Sequence, residues 1–471
     1  MPFDPQELLK VIADSIRIER HSVRVVDETK LRQKVGRLAE ISALETGPRQ
    51  GWARYLVRLA ALELGIVPCS IHEVYMARGR GEIAPTFTVP AINLRVLPFI
   101  AARAAFRVAQ ELNAAALIFE IARSEIGYTA QRPAEYATHI LAAAIAEGWH
   151  GPVFIQGDHF QVSARRYASS PEEELHAVRE LTREAINAGF FNIDIDTSTL
   201  VDTHKPTLDE QQQLNYQLSA AFSAFIREIE PPGVTVSIGG EIGEVGGHNS
   251  TEPELRAYME GYRRELARYT SRPGLSKISI QTGTSHGGVI LPDGRIADVE
   301  VDFETLLNLS RVARQAYGLA GAVQHGASTL PEEAFGKFVE SEACEVHLAT
   351  NFMNIFYDLI PNDLRREMYA WLEVNALGER KAGMSDAQFY YKTRKNALAP
   401  FKAQIYALSD EVKERLGQAW ESQFRRLFTA LGIVDTRSII ERYACPKLVM
   451  PRLSDYVTEE VAAEDVSDLA D

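Results

Sequence analysis

The sequence predicts an α/β fold: a (β/α)8 barrel with helical extensions at both ends. Three observations predict it. From about residue 85, short apolar runs alternate eight times with stretches of helical period. The runs are apolar at nearly every position, as strands covered on both faces must be. The eight units together occupy about 285 residues, the size of one barrel. An open doubly wound sheet is the alternative. It ordinarily has fewer strands, and no GxGxxG follows the first run.

Residues 1–82 are expected to form a helical extension. Leu8, Leu9, Ile12 and Ile16 recur at helical spacing, and a second helix is expected over Trp52–Leu64. No motif for chemistry occurs there. The barrel is assigned to residues 83–369. Its strand candidates are Thr86–Leu94, Ala116–Ile121, Val153–Gly157, Phe191–Asp196, Val234–Ile238, Ile278–Thr282, Leu319–Gln324 and Glu345–Ala349. Helices are expected over Pro171–Ala188, Asp209–Glu228, Glu252–Arg268 and Pro331–Glu342. Ser170 before Pro171, and Ser328 before Pro331, read as N-terminal caps with Pro in the first turn. Residues 370–452 read as a second helical extension, with Tyr390, Tyr391, Lys392 and Arg394 clustered at a loop or helix start. Residues 453–471 carry seven acids and no Lys or Arg, which predicts a solvated, disordered tail.

Composition narrows the function. The chain has 471 residues, 46% hydrophobic and 24% charged, which excludes a disordered protein. The net charge of −14 argues against nucleic-acid binding, which needs clustered Lys and Arg. The three cysteines are widely spaced with no CxxC, so a reducing, cytoplasmic compartment is expected. The N-terminal MPFDPQELLK lacks the pattern of a signal peptide, and no run of 18 apolar residues predicts a membrane span.

In a barrel the chemistry sits where the strands end. Strand three ends in Asp158-His159, strand four in Asp194, Asp196, Thr197 and Ser198, and strand five runs into Glu241. Strand six ends in the Gly-rich segment holding His286 and Gly287. Strand seven ends in His325-Gly326-Ala327-Ser328, and strand eight carries His347 and runs into Thr350. One histidine at a strand end is ordinarily structural. The conjunction of His159, Glu241, His286 and His325 on one rim points instead to a shared metal site, since imidazole and carboxylate suit Zn2+ as a Lewis acid. Asp158, beside a ligand, suits a general acid–base or a group that orients a histidine. Ser328 reads either as an ordinary cap or as part of an anion site at a helix N-terminus. Asp194 and Asp196 point to one face, for a metal-linked role or an inward salt bridge.

The motifs QGDHF, NIDIDTS, GGEIGEVGG, TGTSHGG, VQHGAS and HLATN, in this order, resemble those of class II, metal-dependent ketose-bisphosphate aldolases over roughly residues 85–355. The resemblance implies a zinc-dependent lyase that cleaves or condenses a ketose bisphosphate with dihydroxyacetone phosphate through a metal-stabilised enediolate. It implies Asp158 as the proton donor and acceptor. His159, Glu241, His286 and His325 would be the metal residues, and Asn93, Gly287, Gly326, Ser328, His347 and Thr350 would contact substrate or phosphate. It further implies one catalytic divalent metal with an additional monovalent cation, a role in carbohydrate metabolism such as glycolysis, a small phosphorylated sugar as substrate, and a homo-oligomer, dimer or tetramer.

The sequence also departs from the family. HLATN replaces a NIDTD-like strand-eight motif, GGHNS lacks the acids that usually follow GG, and Ala122 stands where a strand-two serine is expected. The metal shell is kept while the substrate-facing shell has changed. Two alternatives from other classes follow. One is a non-catalytic partner subunit of a tagatose-bisphosphate aldolase. The other is a metal-dependent hydrolase or isomerase on the same rim.

Overall fold

The computed structural model describes residues 3–242, 248–283, 301–327 and 330–456, with residues 466, 468 and 469. Eight parallel strands form a closed ring: β1 Val89–Asn93, β2 Ile118–Ala122, β3 Gly151–Gln161, β4 Asn192–Asp196, β5 Ser237–Glu241, β6 Lys277–Ile280, β7 Ala322–Gln324 and β8 Glu345–Leu348. Each pairs with its neighbour in sequence, and β8 returns to β1 through Glu345↔Val89 to Leu348↔Ile92. Closure leaves no edge strand in the ring. The expected barrel is therefore present, and the open-sheet alternative is excluded.

The strands are short and buried along their length, and the helices between them cover the outside. Pro171–Ala188, Leu208–Ile229 and Glu252–Tyr269 stand where helices were expected. Thr207 and Thr251 close capping boxes with Glu210 and Glu254, fixing two helix starts. Ser170 makes no side-chain cap, and Pro fills the first turn instead. The expected helix from Pro331 is shorter: a 3-10 turn over Glu332–Ala334 leads into Phe335–Glu340, with Pro331 itself extended at ψ 149°.

Residues 1–82 are not all helical. Ile16–Ile18 pairs antiparallel with Val23–Val25. Ile66–Cys69 is a ninth strand of the barrel sheet, parallel to Gly151–Phe154. The reason is the length of β3. Its 11 residues extend below the ring, and its first four would be an unpaired edge without this partner. Asn192 splices the insertion: its Oδ1 accepts from the Ile71 N–H at 2.8 Å, and its Nδ2 donates to Cys69 O at 3.2 Å and Ile155 O at 3.0 Å.

The C-terminal helices pack on the barrel rather than trailing from it. Asp410–Ala430 lies against Pro98–Glu111, and its Trp420, fully buried, donates Nε1–H to Phe352 O at 3.1 Å. Thr436 Oγ1 accepts from the N–H groups of Ala115 and Ala116 at 3.1 and 3.2 Å, just before β2. The start of the acidic tail also differs from a frayed end. Leu453–Asp455 forms a 3-10 turn, and Tyr456 is buried against Tyr55 near the buried arginines Arg54 and Arg58. Among the described residues no helix is long and apolar enough to cross a membrane.

Trp420 ties the C-terminal helices to the barrel, so Trp420→Ala is expected to cost about 3–5 kcal/mol of folding stability, measured by urea unfolding. A loss below about 1 kcal/mol would show that these helices are not part of the cooperative fold.

Candidate metal centre

The inside of the barrel is built in layers of side chains, with alternate strands contributing to each layer. Glu120 of β2, Asp194 of β4, Lys277 of β6 and Glu345 of β8 form a charged layer, all of them buried. Lys277 Nζ donates to Asp194 Oδ2 at 2.9 Å, to Glu345 Oε1, and to Gln156 Oε1 at 2.8 Å. The Gln156 amide N–H groups reach Glu120 Oε2 at 2.8 Å and Glu345 Oε1 at 2.9 Å, and Tyr75 donates to Glu345 Oε2. Burial alone would discharge Lys277, but the carboxylates of Asp194 and Glu345 outweigh it and hold the ammonium protonated. Burial pushes Asp194 up to about 6. Burial also opposes a charge on Glu345, yet Lys277 and His347 hold it down at about 2.

A second polar layer, from the odd strands, lies beside the first: Asn93, Asp158, Glu241 and His325. His159 joins it through an irregularity in β3. The β3–β4 pairing runs Gly157↔Ile193 and then Phe160↔Ile195, so Asp158 and His159 together oppose Asp194. Neighbouring residues of a regular strand point to opposite faces. The bulge breaks that rule and turns both side chains inward, with His159 at φ +39°, a conformation disfavoured for a non-glycine residue. Phe160 folds back over Gly157, where a Cβ would lie 2.5 Å from the ring.

These side chains converge. His159 Nε2 lies 3.0 Å from His325 Nδ1, and His159 Nδ1 lies 3.2 Å from both Glu241 Oε2 and Asp196 Oδ2. One ligand atom from each of His159, Glu241 and His325 lies within 4.8 Å of the others. The two short spacings use opposite nitrogens of the His159 ring, so a single ion would take one of them, with the three donor atoms still within 4.8 Å of one another. Asp196 is anchored by Ser198 N–H at 3.0 Å and Ser198 Oγ at 2.6 Å, and His325 Nε2 meets Ser279 Oγ at 3.0 Å. Such outer contacts hold ligating rings in place.

The electrostatics favour a cation. Burial opposes a charge on His159, but Asp158, Glu241 and Asp196 outweigh it and hold its pKa well above the ordinary imidazole range. Burial, and then Asp196, raise Glu241. Protons thus occupy a negative, low-dielectric cavity that a divalent cation would neutralise more completely, displacing them. Two imidazoles and a carboxylate fit zinc.

The residues expected from the sequence fall into three groups. His159, Glu241 and His325 come together as one donor set, with Asp158 alongside at 3.9 Å from His159. Asn93 donates Nδ2–H to Asp158 Oδ2 at 3.0 Å and to Glu125 Oε2 at 2.9 Å, and His347 lies 3.1 Å from Asp158 Oδ1. Gly326, at φ +70°, and buried Thr350 stand at the ends of β7 and β8. His286, Gly287 and Ser328 lie outside the described residues. Asp194 makes the inward salt bridge, and Asp196 orients His159. Glu120, Gln156, Lys277 and Glu345 lie away from the C-terminal ends of their strands, where the sequence motifs do not assign a role. Their signal was a polar residue at period two inside otherwise apolar strands, as in Glu345-Val346-His347 and Lys277-Ile278-Ser279.

Two outcomes follow. The chain is expected to bind about one divalent ion, and His159→Ala to lower its affinity for that ion by more than about 100-fold, measured by elemental analysis and chelator competition. Lys277→Met is expected to cost about 3–5 kcal/mol at pH 7, by leaving buried carboxylates without their cation. Removing the ammonium that lowers Asp194 and Glu345 raises both carboxyls in the variant, which then takes up more protons on folding than the wild type, so the deficit should shrink as the pH falls. Urea unfolding at pH 7 and pH 5 checks both statements; an equal deficit at the two pH values contradicts the second.

Comparison with known proteins agrees with this architecture. The family model for class-II fructose-bisphosphate aldolase matches residues 84–419. The fructuronate-tagaturonate epimerase of Cohnella laeviribosi is 12% identical, with a TM-score of 0.56 over 89% of this chain and 90% of that one. A Sinorhizobium meliloti protein described as a probable tagatose 6 phosphate kinase is 14% identical, with a TM-score of 0.51 over 76% of this chain and 99% of its own. The fructose-bisphosphate aldolase of Campylobacter jejuni is 17% identical, with a TM-score of 0.47 over 79% and 96% of the two chains. The first two likenesses show the fold. No curated protein sequence matches the chain. The family model spans well over half of the 471 residues, and the chain belongs to the class-II fructose-bisphosphate aldolase family.

Proposed function

We propose that the chain is a zinc-dependent aldolase that cleaves and condenses a phosphorylated ketose, with dihydroxyacetone phosphate as the ketone fragment. The observation that carries this reading is the Asp158 carboxylate, held by Asn93 and His347 beside the His159–Glu241–His325 donor set. A divalent cation bound there would supply Lewis-acid polarisation of a substrate carbonyl. Asp158 takes the proton from the hydroxyl two carbons from the ketone. The bond between that hydroxyl-bearing carbon and the carbon next to the ketone breaks, an aldehyde leaves, and the electron pair passes towards the ketone oxygen. Returning a proton to carbon completes the ketone fragment. In condensation the steps reverse, and Asp158 protonates the new hydroxyl.

A buried cation beside the helix that follows β8 supports an anionic substrate. Arg394, just after the helix Asp386–Thr393, is 6% exposed and packs between the rings of Tyr357 and Tyr391 at 5.2 and 4.1 Å. It donates to Asn354, in the helix that follows β8, and Asp358 of the same helix acts on it electrostatically. Gly326, with a left-handed backbone next to His325, supports close approach of a phosphate to the end of β7.

The test is release of dihydroxyacetone phosphate from a panel of ketose phosphates, with and without a chelator. Cleavage lost on chelation and restored by zinc is expected. Asp158→Asn should keep its metal and lose about 10²–10⁴-fold in turnover. Metal-independent cleavage would contradict the reading. An epimer formed without free triose would move it to epimerisation on the same rim. No reaction by the metal-loaded protein would favour a non-catalytic partner.

A further inference from the structure

His347 is the third residue of β8, and both of its ring nitrogens face carboxylates inside the barrel. Nδ1 lies 3.1 Å from Asp158 Oδ1 and 3.1 Å from Glu120 Oε1. Nε2 lies 2.7 Å from Glu345 Oε1 and 3.7 Å from Asp194 Oδ2. One face of the ring lies against His325, with centroids 4.1 Å apart. An imidazole has at most two N–H groups to give, and carboxylates of the barrel face both. That leaves neither nitrogen for a substrate oxygen, the role the family resemblance suggests for this position.

Seen from Asp158, the arrangement is a clamp. Oδ2 accepts from Asn93 of β1 and Oδ1 faces His347 of β8, so both oxygens of one buried carboxylate are engaged by neighbouring strands. Each arm is itself tied down. Asn93 also donates to Glu125, whose carboxylate accepts from the Ala122 N–H at 2.8 Å and from Arg95. His347 rests through Glu345 on Lys277.

We propose that His347 is a positioning residue: it donates Nδ1–H to Asp158 Oδ1, fixes the rotamer of that carboxylate, and fastens it to the Lys277 layer. The assignment rests on Asp158 as the acid–base group of the proposed aldol chemistry. The same ring could instead hold a second cation with Glu120 and Glu345, whose ligand atoms lie within 4.8 Å of one another. The Lys277 ammonium already meets Glu345 there, so the positive charge that such an ion would bring is in place.

The test uses the full chain with His347→Gln, which keeps a side-chain N–H, and His347→Leu, which keeps only bulk. Metal content, kcat and KM are measured on the zinc-loaded proteins. Positioning predicts unchanged metal content, KM within about twofold, kcat lowered about 10²-fold in His347→Leu, and partial recovery in His347→Gln. Loss of metal would make His347 a ligand. A raised KM at unchanged kcat would make it a substrate contact, and equal kcat in all three proteins would leave it no role. Each of these overturns the proposal. Should the wild-type chain cleave no ketose, the aldolase reading fails separately, and thermal unfolding of the metal-free proteins decides the contact. His347→Leu, Asp158→Asn and the double variant are then compared. A double-variant loss smaller than the sum of the single losses supports the clamp, and additive losses overturn it.

Discussion

The interior of this barrel is organised around one ammonium group. Lys277 lies among Asp194, Glu345 and Gln156, with Glu120 reached through Gln156. A barrel interior is ordinarily filled by branched apolar side chains. Here four even-numbered strands contribute charges, and desolvating them is tolerable only while the cation sits among them. The donor layer inherits this arrangement. His347 and Asp194 connect the two layers, so the positions of Asp158 and of the imidazoles follow from how the Lys277 group packs.

The second constraint is the bulge in β3. A regular strand offers one inward side chain in two, so it can present either the Asp158 carboxylate or the neighbouring His159 imidazole. Placing Asp158 and His159 opposite the single residue Asp194 presents both. A left-handed conformation at His159 costs roughly 1–2 kcal/mol. The contacts of His159 with Asp196, Glu241 and His325 hold the ring where that conformation places it.

Much of this was legible in the sequence, and the divide is physical. All eight strands were visible because a strand buried on both faces must be an apolar run, and its ends shift by only a few residues in the structure. Asp158, His159, Glu241 and His325 were visible because polar residues at the ends of such runs have few other reasons to be there. The strand Ile66–Cys69 was missed because four apolar residues after a helix have no period to read; only the overhang of β3 gives them a partner. The charged layer was missed because a polar residue inside an apolar run reads as an exception until its partners from other strands are seen. His347 shows the same limit: a histidine at a strand end looks like a substrate contact until both nitrogens are found on carboxylates.

The proposed aldol chemistry requires His159, Glu241 and His325 to seat one divalent cation. Anomalous diffraction at the zinc edge, from crystals grown with zinc, tests it most directly. One strong peak is expected, bonded to those three side chains at about 2.0–2.2 Å from each donor atom. A peak among Glu120, Glu345 and His347 in its place, or no peak inside the barrel, would contradict it.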